Sequence, residues 1–465
     1  MRLKTFLKKL DLESLLPDKK IEIITRKFDE IKYNAIYFSF DAINKKNFEQ
    51  IRNKGAYLII GESNYLNNHY IKVDSVKKIY QKYLLWQNRF KLFGKCFIGV
   101  TGTCGKSTIS TILFRFLSQR KKVIYYGTDG IFTNDKVITS NNTTPSMEVF
   151  FENLKGQNYV IMEISSISFF EYRLFNIKFD YLILTNIYED HLDYHKTKEE
   201  YIASKMLILA TNYKAKAFIS RDVDDIRFLR LNENTFYYGL SQNEFKIFNI
   251  MQKNDKLQFD LETSNDYFHI STKILGKYNV MNFSGACSVL LSLGYKMKEI
   301  IAFVNKTSII SGRYNILMYN NKPIIIDYCH TASSYEALLK DVKENYGNNL
   351  LVVFGAGGSR QESKRIEYSK LVSKYATKAI ISNDNPREED ELEIAKALYD
   401  NLNIPSEIIL DRGKAINKAL DHINEYDAIL ILGKGPERYI NIKGVKYEFS
   451  DIDKVKEYLR WYILF

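Results

Sequence analysis

Proline, cysteine and tryptophan are scarce in this chain, with six, four and two copies among 465 residues. Few prolines mean that no linker announces itself by composition, so domain boundaries must come from the order of motifs. The four cysteines, at 96, 104, 287 and 329, never fall in a CxxC spacing, which argues against a disulfide framework or a zinc site and predicts a reducing compartment. Apolar runs such as Pro323-Ile324-Ile325-Ile326 and Ala428-Ile429-Leu430-Ile431-Leu432 are far too short to span a bilayer, which predicts no membrane insertion. The first residues mix Lys4, Lys8, Lys9 and Asp11 among leucines, without the apolar core of a secretory signal, so a cytoplasmic location is expected. No internal repeat or low-complexity tract is present.

What is there is a long, ordinary globular composition, 45% hydrophobic and 26% charged, which predicts two or three domains. The formal net charge of +12 could serve nucleic acid. Its lysines and arginines are spread, however, and runs such as Lys45-Lys46 and Arg120-Lys121-Lys122 read as solvated faces, so no nucleic-acid partner is expected. A positive field also suits a protein whose substrates are anions.

Apolar segments at 96–100, 123–126, 159–164, 181–185 and 217–219 alternate with helical stretches from Lys95 onward. That rhythm predicts an α/β fold with a doubly wound parallel sheet. Short strands between 235 and 272 predict a β-rich excursion, followed by a helix from Asn282 to Leu293. A second series at 323–328, 350–354, 378–382, 407–409 and 428–432 predicts a Rossmann-like C-terminal domain. Residues before about 90 read as a small N-terminal α/β module. The expected domains are 1–92, 93–310 and 311–465, with Gly312 as a hinge.

Gly102-Thr103-Cys104-Gly105-Lys106-Ser107-Thr108 lies between the first of these strands and a helical stretch, Ile109 to Leu117. Glycines let such a loop aim its N–H groups at phosphate oxygens, and the helix N-terminus adds positive potential. Lys106 would neutralise the β- and γ-phosphates, and Ser107 or Thr108 could ligate magnesium. The widest P-loop pattern has Gly where Val100 stands. Glu163 ends the strand Tyr159-Val160-Ile161-Met162 at the edge where ligands bind in parallel sheets, and a hard oxygen there suits magnesium. Another strand runs into Glu189-Asp190-His191-Leu192-Asp193. Lys205, in an apolar helical setting, reads from physics alone as a snorkelling surface lysine. Four strand ends of the last domain carry Asp327-Tyr328-Cys329-His330, Gly355-Ala356-Gly357-Gly358-Ser359-Arg360, Asp384-Asn385-Pro386-Arg387 and Gly433-Lys434-Gly435-Pro436-Glu437. They form one cleft, whose arginines predict a carboxylate or phosphate partner.

Together these motifs resemble the Mur ligase family, from about residue 95 to 440. The branch most like this chain is the UDP-N-acetylmuramoyl-tripeptide synthetases, on the strength of Thr143-Thr144-Pro145, Met162-Glu163-Ile164-Ser165-Ser166, Asp190-His191-Leu192-Asp193-Tyr194-His195 and Asp384-Asn385-Pro386-Arg387. The resemblance implies an ATP-dependent amide ligase acting through an acyl phosphate, with ATP and magnesium as cofactors, and a monomer. Its partners would be a UDP-linked precursor peptide and a free amino acid, meso-diaminopimelate or another diamino acid. It implies that Gly102, Thr103, Gly105, Lys106, Ser107 and Thr108 hold the triphosphate and that Ser107, Glu163, His191 and Lys205 ligate magnesium, Lys205 as a carbamate. It places Asn279 and Asn282 near adenine, and Arg313, Asp327 and His330 over ATP. Thr143, Thr144, Ser165 and Arg173 would grip the peptide substrate, and Arg360, Asn385, Arg387, Gly433 and Glu437 the incoming amino acid.

The chain departs from the family at Cys104 (usually Asn), Ile167 and Pro436 (both usually His), and in a first module that lacks the Asp-Ser-Arg element around Lys27-Phe28-Asp29-Glu30. A pseudomurein peptide ligase of archaea would share this core with an altered first domain. A folylpolyglutamate synthetase, which also shares it, is disfavoured by the Asp-Asn-Pro-Arg loop and the separate first module. A P-loop switch or nucleic-acid-dependent ATPase is the rival from another class.

Overall fold

A computed structural model describes residues 1–140, 142–174, 176–221, 234–240, 244–253, 256–263, 266–307, 310–359 and 361–463. The chain packs as two compact units. One holds Met1–Cys96, Thr144–Asn158 and Ser165–Lys178; the other holds Phe97–Thr143, Tyr159–Ile164 and everything from Phe179 onward.

The first unit is built on four parallel strands in chain order, Ile24–Thr25, Ala35–Phe38, Ala56–Gly61 and Tyr70–Lys72. Ala35–Phe38 is buried along its whole length, as parallel strands covered on both faces must be. Phe6, Phe38, Tyr80 and Tyr83 interlock there with ring centroids 4.9–6.3 Å apart, so aromatic packing supplies much of this small core.

The second unit contains two large sheets. In the first, the strand Cys96–Thr101 sits between Tyr181–Leu184 and Tyr159–Ile164, with Lys216–Ser220 and Thr235–Gly239 beyond one neighbour and Val123–Gly127 beyond the other. These core strands run parallel, so their C-terminal ends open on one edge. The expected β-rich excursion is real, and it extends this same sheet: Tyr238 pairs with Phe245, and Phe245–Lys253, Lys256–Thr263 and Tyr267–Thr272 follow as an antiparallel wing. Lys106–Leu117 packs against the helix Tyr278–Ser292, whose Val280, Phe283, Ala286, Cys287, Val289 and Leu290 are all buried. Small and polar residues such as Asn279, Asn282, Ser284 and Ser288 are buried on it as well, so it is a core helix.

The second sheet has the order Asn315–Tyr319, Lys322–Asp327, Ala428–Leu432, Leu350–Phe354, Lys378–Ile381, Ser406–Ile408. All are parallel except the first, an antiparallel edge strand absent from the sequence expectation. Gly312 has φ +67, and a β-carbon there would lie 2.2 Å from the nitrogen of Pro436. Only glycine allows that backbone approach. Among the described residues no helix is long and apolar enough to cross a membrane.

Candidate active site

The loop after Cys96–Thr101 is held by its own backbone and by the end of the neighbouring strand. Gly105 has φ +86, and a β-carbon on it would meet Asn282 Oδ1 at 2.1 Å; glycine is required, and Asn282 stands against the loop. Thr185 Oγ1 and Asn186 Nδ2 both donate to the Cys104 carbonyl, at 2.6 and 3.2 Å, while Asn186 Oδ1 accepts from Cys104 N–H at 2.8 Å. Thr103 Oγ1 accepts from Tyr188 N–H at 3.0 Å and shares a hydrogen with the Tyr201 hydroxyl at 2.8 Å. Sequence reasoning assigned no role to Thr185 or Asn186, although they directly follow a buried strand at the same edge.

Two lysines converge on one carbonyl. Lys106 Nζ donates to Gly102 O at 2.9 Å and Thr103 O at 2.8 Å, and Lys205 Nζ donates to Gly102 O at 3.0 Å. Lys205 is 1% exposed, which corrects the surface reading: its helix, Lys198–Thr211, is capped by Thr197 and turns this residue inward. Burial, followed by the nearby Lys106 charge, pushes its amine well below the usual lysine range. The neutral form is favoured because a second cation in a dry site is costly.

Glu163 is wholly buried at its strand end and accepts hydrogen bonds from the Tyr125 hydroxyl and, at 3.0 Å, from Thr128 Oγ1. Burial, and then the charge of Glu163, hold the Tyr125 hydroxyl far above its ordinary range, so it remains a donor. Thr143 Oγ1 stands 3.1 Å from Thr128 Oγ1. Asp190 accepts from Lys364 Nζ at 2.6 Å and from His191 N–H at 2.9 Å. Burial works against its charge, but His191, Lys364 and His330 outweigh that and keep its carboxyl below the usual range. His191 itself has φ +55, uncommon for a residue with a β-carbon, and its Nε2 lies 3.4 Å from Asp190 Oδ2.

Arg313 joins the two sheets. Its Nη2 donates to Ser107 Oγ at 3.3 Å and lies 3.9 Å from Asp129 Oδ1, and its guanidinium stacks 4.3 Å from the centre of the Tyr328 ring. Burial pushes Asp129 up to about 6, although Arg313 pulls the other way. Asp327 accepts from Tyr314 N–H at 2.6 Å, and burial raises its carboxyl. Asn279 and Asn282 are buried and bonded to each other at 2.8 Å. His330 is exposed, its Nδ1 2.8 Å from Tyr328 O.

Asp384, Asn385, Lys434 and Glu437 form one polar cluster at the C-terminal ends of the second sheet. Arg412 ties these ends together: wholly enclosed, it forks onto Asp451 at 2.7 and 2.8 Å and donates to the carbonyls of Asn383 and Leu432 at 3.1 and 2.9 Å. Arg387 has φ +53 and donates to Gly358 O at 2.6 Å. Arg360 lies outside the described residues. Within the first unit, Thr144 Oγ1 accepts from Ser165 N–H at 2.9 Å and Arg173 donates to Thr144 O at 3.0 Å, so those three expected contacts are neighbours.

This edge offers N–H groups and cations of the kind that hold phosphates, with hard oxygens nearby and a polar side-chain cluster on the second sheet. Among the described residues no three His, Cys, Asp or Glu side chains converge as a self-contained metal site. Glu163 and the Ser107 hydroxyl are hard oxygen donors, the chemistry that a divalent cation takes.

Comparison with known proteins agrees with this geometry. The sequence model of the Mur ligase middle domain matches residues 100–290, and that of the Mur ligase, glutamate ligase domain matches 312–435. The UDP-N-acetylmuramoyl-L-alanyl-D-glutamate--2,6-diaminopimelate ligase of Aquifex aeolicus is 31% identical over 469 residues, covering 97% of this chain and 95% of that protein. A solved structure of a ligase of the same name superposes with a TM-score of 0.68 at 24% identity, over 98% of this chain and 99% of the other. The MurF ligase of Thermotoga maritima in complex with ADP superposes with a TM-score of 0.63 at 16% identity, over 94% and 97%. These two structures speak for the fold.

Proposed function

The chain belongs to the Mur ligase family and is an ATP-dependent ligase, and from that premise we propose that it adds meso-diaminopimelate, or a similar diamino acid, to a UDP-linked cell-wall precursor peptide. A carboxylate of the peptide attacks the γ-phosphate of ATP, releasing ADP and leaving an acyl phosphate. The amino acid's amine then attacks the acyl carbon, phosphate departs, and an amide remains. The observation that carries the reading is Arg313 reaching from the second sheet to Ser107 of the phosphate loop, which supports a nucleotide and an amino acid being handled at neighbouring sheet edges.

The roles of individual residues are part of the proposal. Lys106 exchanges its two loop carbonyls for phosphate oxygens, and Gly102, Thr103, Gly105, Ser107 and Thr108 shape the cradle. Asn279 and Asn282 flank the nucleotide, and Arg313, Asp327 and His330 cover it from the other sheet. Ser107, Glu163 and His191 would hold magnesium, which when bound would supply charge stabilisation at the transferring phosphoryl group. Lys205, disposed by burial to lose its proton, is in the form that adds carbon dioxide, and the resulting carbamate would be a further anionic oxygen ligand. Thr143, Thr144, Ser165 and Arg173 hold the peptide; Arg387, Gly433 and Glu437 receive the amino acid.

We assign these tasks to three domains with boundaries near 92 and 310, in a monomer working in the cytoplasm without nucleic acid, since one chain contributes every group named. The test is phosphate release with a panel of amino acids and UDP-linked dipeptides, products read by mass spectrometry. Release should require both partners and favour diaminopimelate; release that ignores either one sinks the proposal. The panel should include other UDP-linked peptides, because the first module lacks the Asp-Ser-Arg element.

A further inference from the structure

Lys434 has no exposed surface, and a buried ammonium is tolerated only where its N–H groups find acceptors and a counter-charge is close. The cluster at the second sheet's edge provides both. Lys434 Nζ donates to Glu437 Oε2 at 3.0 Å and to Asn385 Oδ1 at 3.2 Å, and lies 3.6 Å from Asp384 Oδ1. Two of its three hydrogens are thereby committed to acceptors within the protein, and a second carboxylate stands close by.

The consequence for Asn385 follows from counting donors and acceptors. Its Oδ1 accepts from Lys434 and from Asn441 N–H at 2.9 Å, so the amide nitrogen must face the other way. There it donates to Asp384 Oδ1 at 3.0 Å and Glu437 Oε2 at 2.8 Å. Both lone pairs and both hydrogens are used, which leaves this residue no capacity to bind a ligand while the cluster is intact. Glu437 Oε2 is likewise taken twice, whereas Oε1 accepts only the Tyr328 hydroxyl, at 3.3 Å, among the described residues. Two carboxylates share the cluster, and the ammonium between them offsets their repulsion.

We propose that Lys434 is a positioning residue of the amino-acid pocket: it draws Glu437 Oε2 and Asn385 inward, so that Glu437 keeps Oε1 for an ammonium group of the incoming amino acid. The inference rests on the ligase reading and adds to it a residue that touches no substrate.

The test is the steady-state kinetics of Lys434→Met, which keeps the side chain's length and removes its charge and donors. The KM for the amino acid should rise ~30-fold, the size expected when a charged partner loses its support, while the KM for ATP stays within about twofold. Equal movement of both constants, or of neither, overturns the proposal. Should the single variant fold poorly, Lys434→Met combined with Glu437→Gln removes the orphaned charge as well. If Lys434 acts through Glu437, the double variant binds the amino acid no worse than Glu437→Gln alone, and additive losses overturn the proposal. A wild-type enzyme that releases no phosphate with any amino acid and UDP-linked peptide overturns the ligase reading, and this inference with it. Turnover by the wild type with an unmoved Lys434→Met overturns this inference alone.

Discussion

At the Gly102–Thr108 loop, consecutive residues offer backbone N–H groups and one lysine, and Thr185 and Asn186 hold the turn from the adjacent strand. On the second sheet, Lys434 and Asn385 meet across 49 positions of sequence, and the cluster there is made mainly of side chains from distant segments. Away from its glycines the first design tolerates substitution, since an N–H donates whatever side chain it carries, and Cys104 stands where the resemblance leads one to expect Asn. The second depends on every member, because removing one leaves buried partners unsatisfied.

The largest test of that contrast is Lys106→Ala, the one side chain on which the loop's charge depends. Phosphate release should fall by ~10³-fold or more, in the range of losing a donor to a developing phosphoryl charge; retained turnover would show that the backbone suffices. On the second sheet, Arg387→Ala should lower the preference for diaminopimelate over lysine by ~30-fold, about 2 kcal/mol, if the guanidinium pairs with the second carboxylate. An unchanged ratio of kcat/KM values would move specificity elsewhere.

The smallest effect lies at Asp129. Burial lifts its carboxyl from 3.8 to about 6, so the folded chain holds this proton more tightly than the unfolded one. The stability it contributes is complete below pH about 4 and is lost as pH rises through about 6. Asp129→Asn removes the ionisation and, against the loss of an Arg313 partner, should raise stability by about 1–2 kcal/mol at pH 7.5 and hardly at all at pH 4. Thermal melts at both values check this. An equal difference at the two pH values would mean that burial does not govern Asp129.

The legibility of the molecule follows the same division. Buried parallel strands such as Leu350–Phe354 and Ala428–Leu432 announce themselves as apolar runs, and the phosphate loop is a contiguous motif. The antiparallel strand Asn315–Tyr319 is only partly buried and carries no such run. Lys205 lies in an apolar helical stretch where a lone lysine reads as a snorkelling residue, and only the loop packed over it reveals an enclosed amine. Lys364, paired with Asp190, and Arg412, clamped by Asp451, are ordinary helical basic residues until the partner segments are in place.

By itself the sequence determined the α/β alternation, the phosphate loop, and the strand ends on which Glu163, Asp190, Asp327 and Asp384 emerge. Each depends on residues close together in the chain, through periodicity and turn chemistry. Tertiary structure alone decided that Arg313 would reach Ser107, that Lys205 would lose contact with water, and that Lys434, Asn441, Asp384 and Glu437 would together fill the hydrogen-bonding capacity of Asn385. Burial and pairing depend on what arrives from distant segments, and a lysine's cost or use is set by the acceptors that surround it.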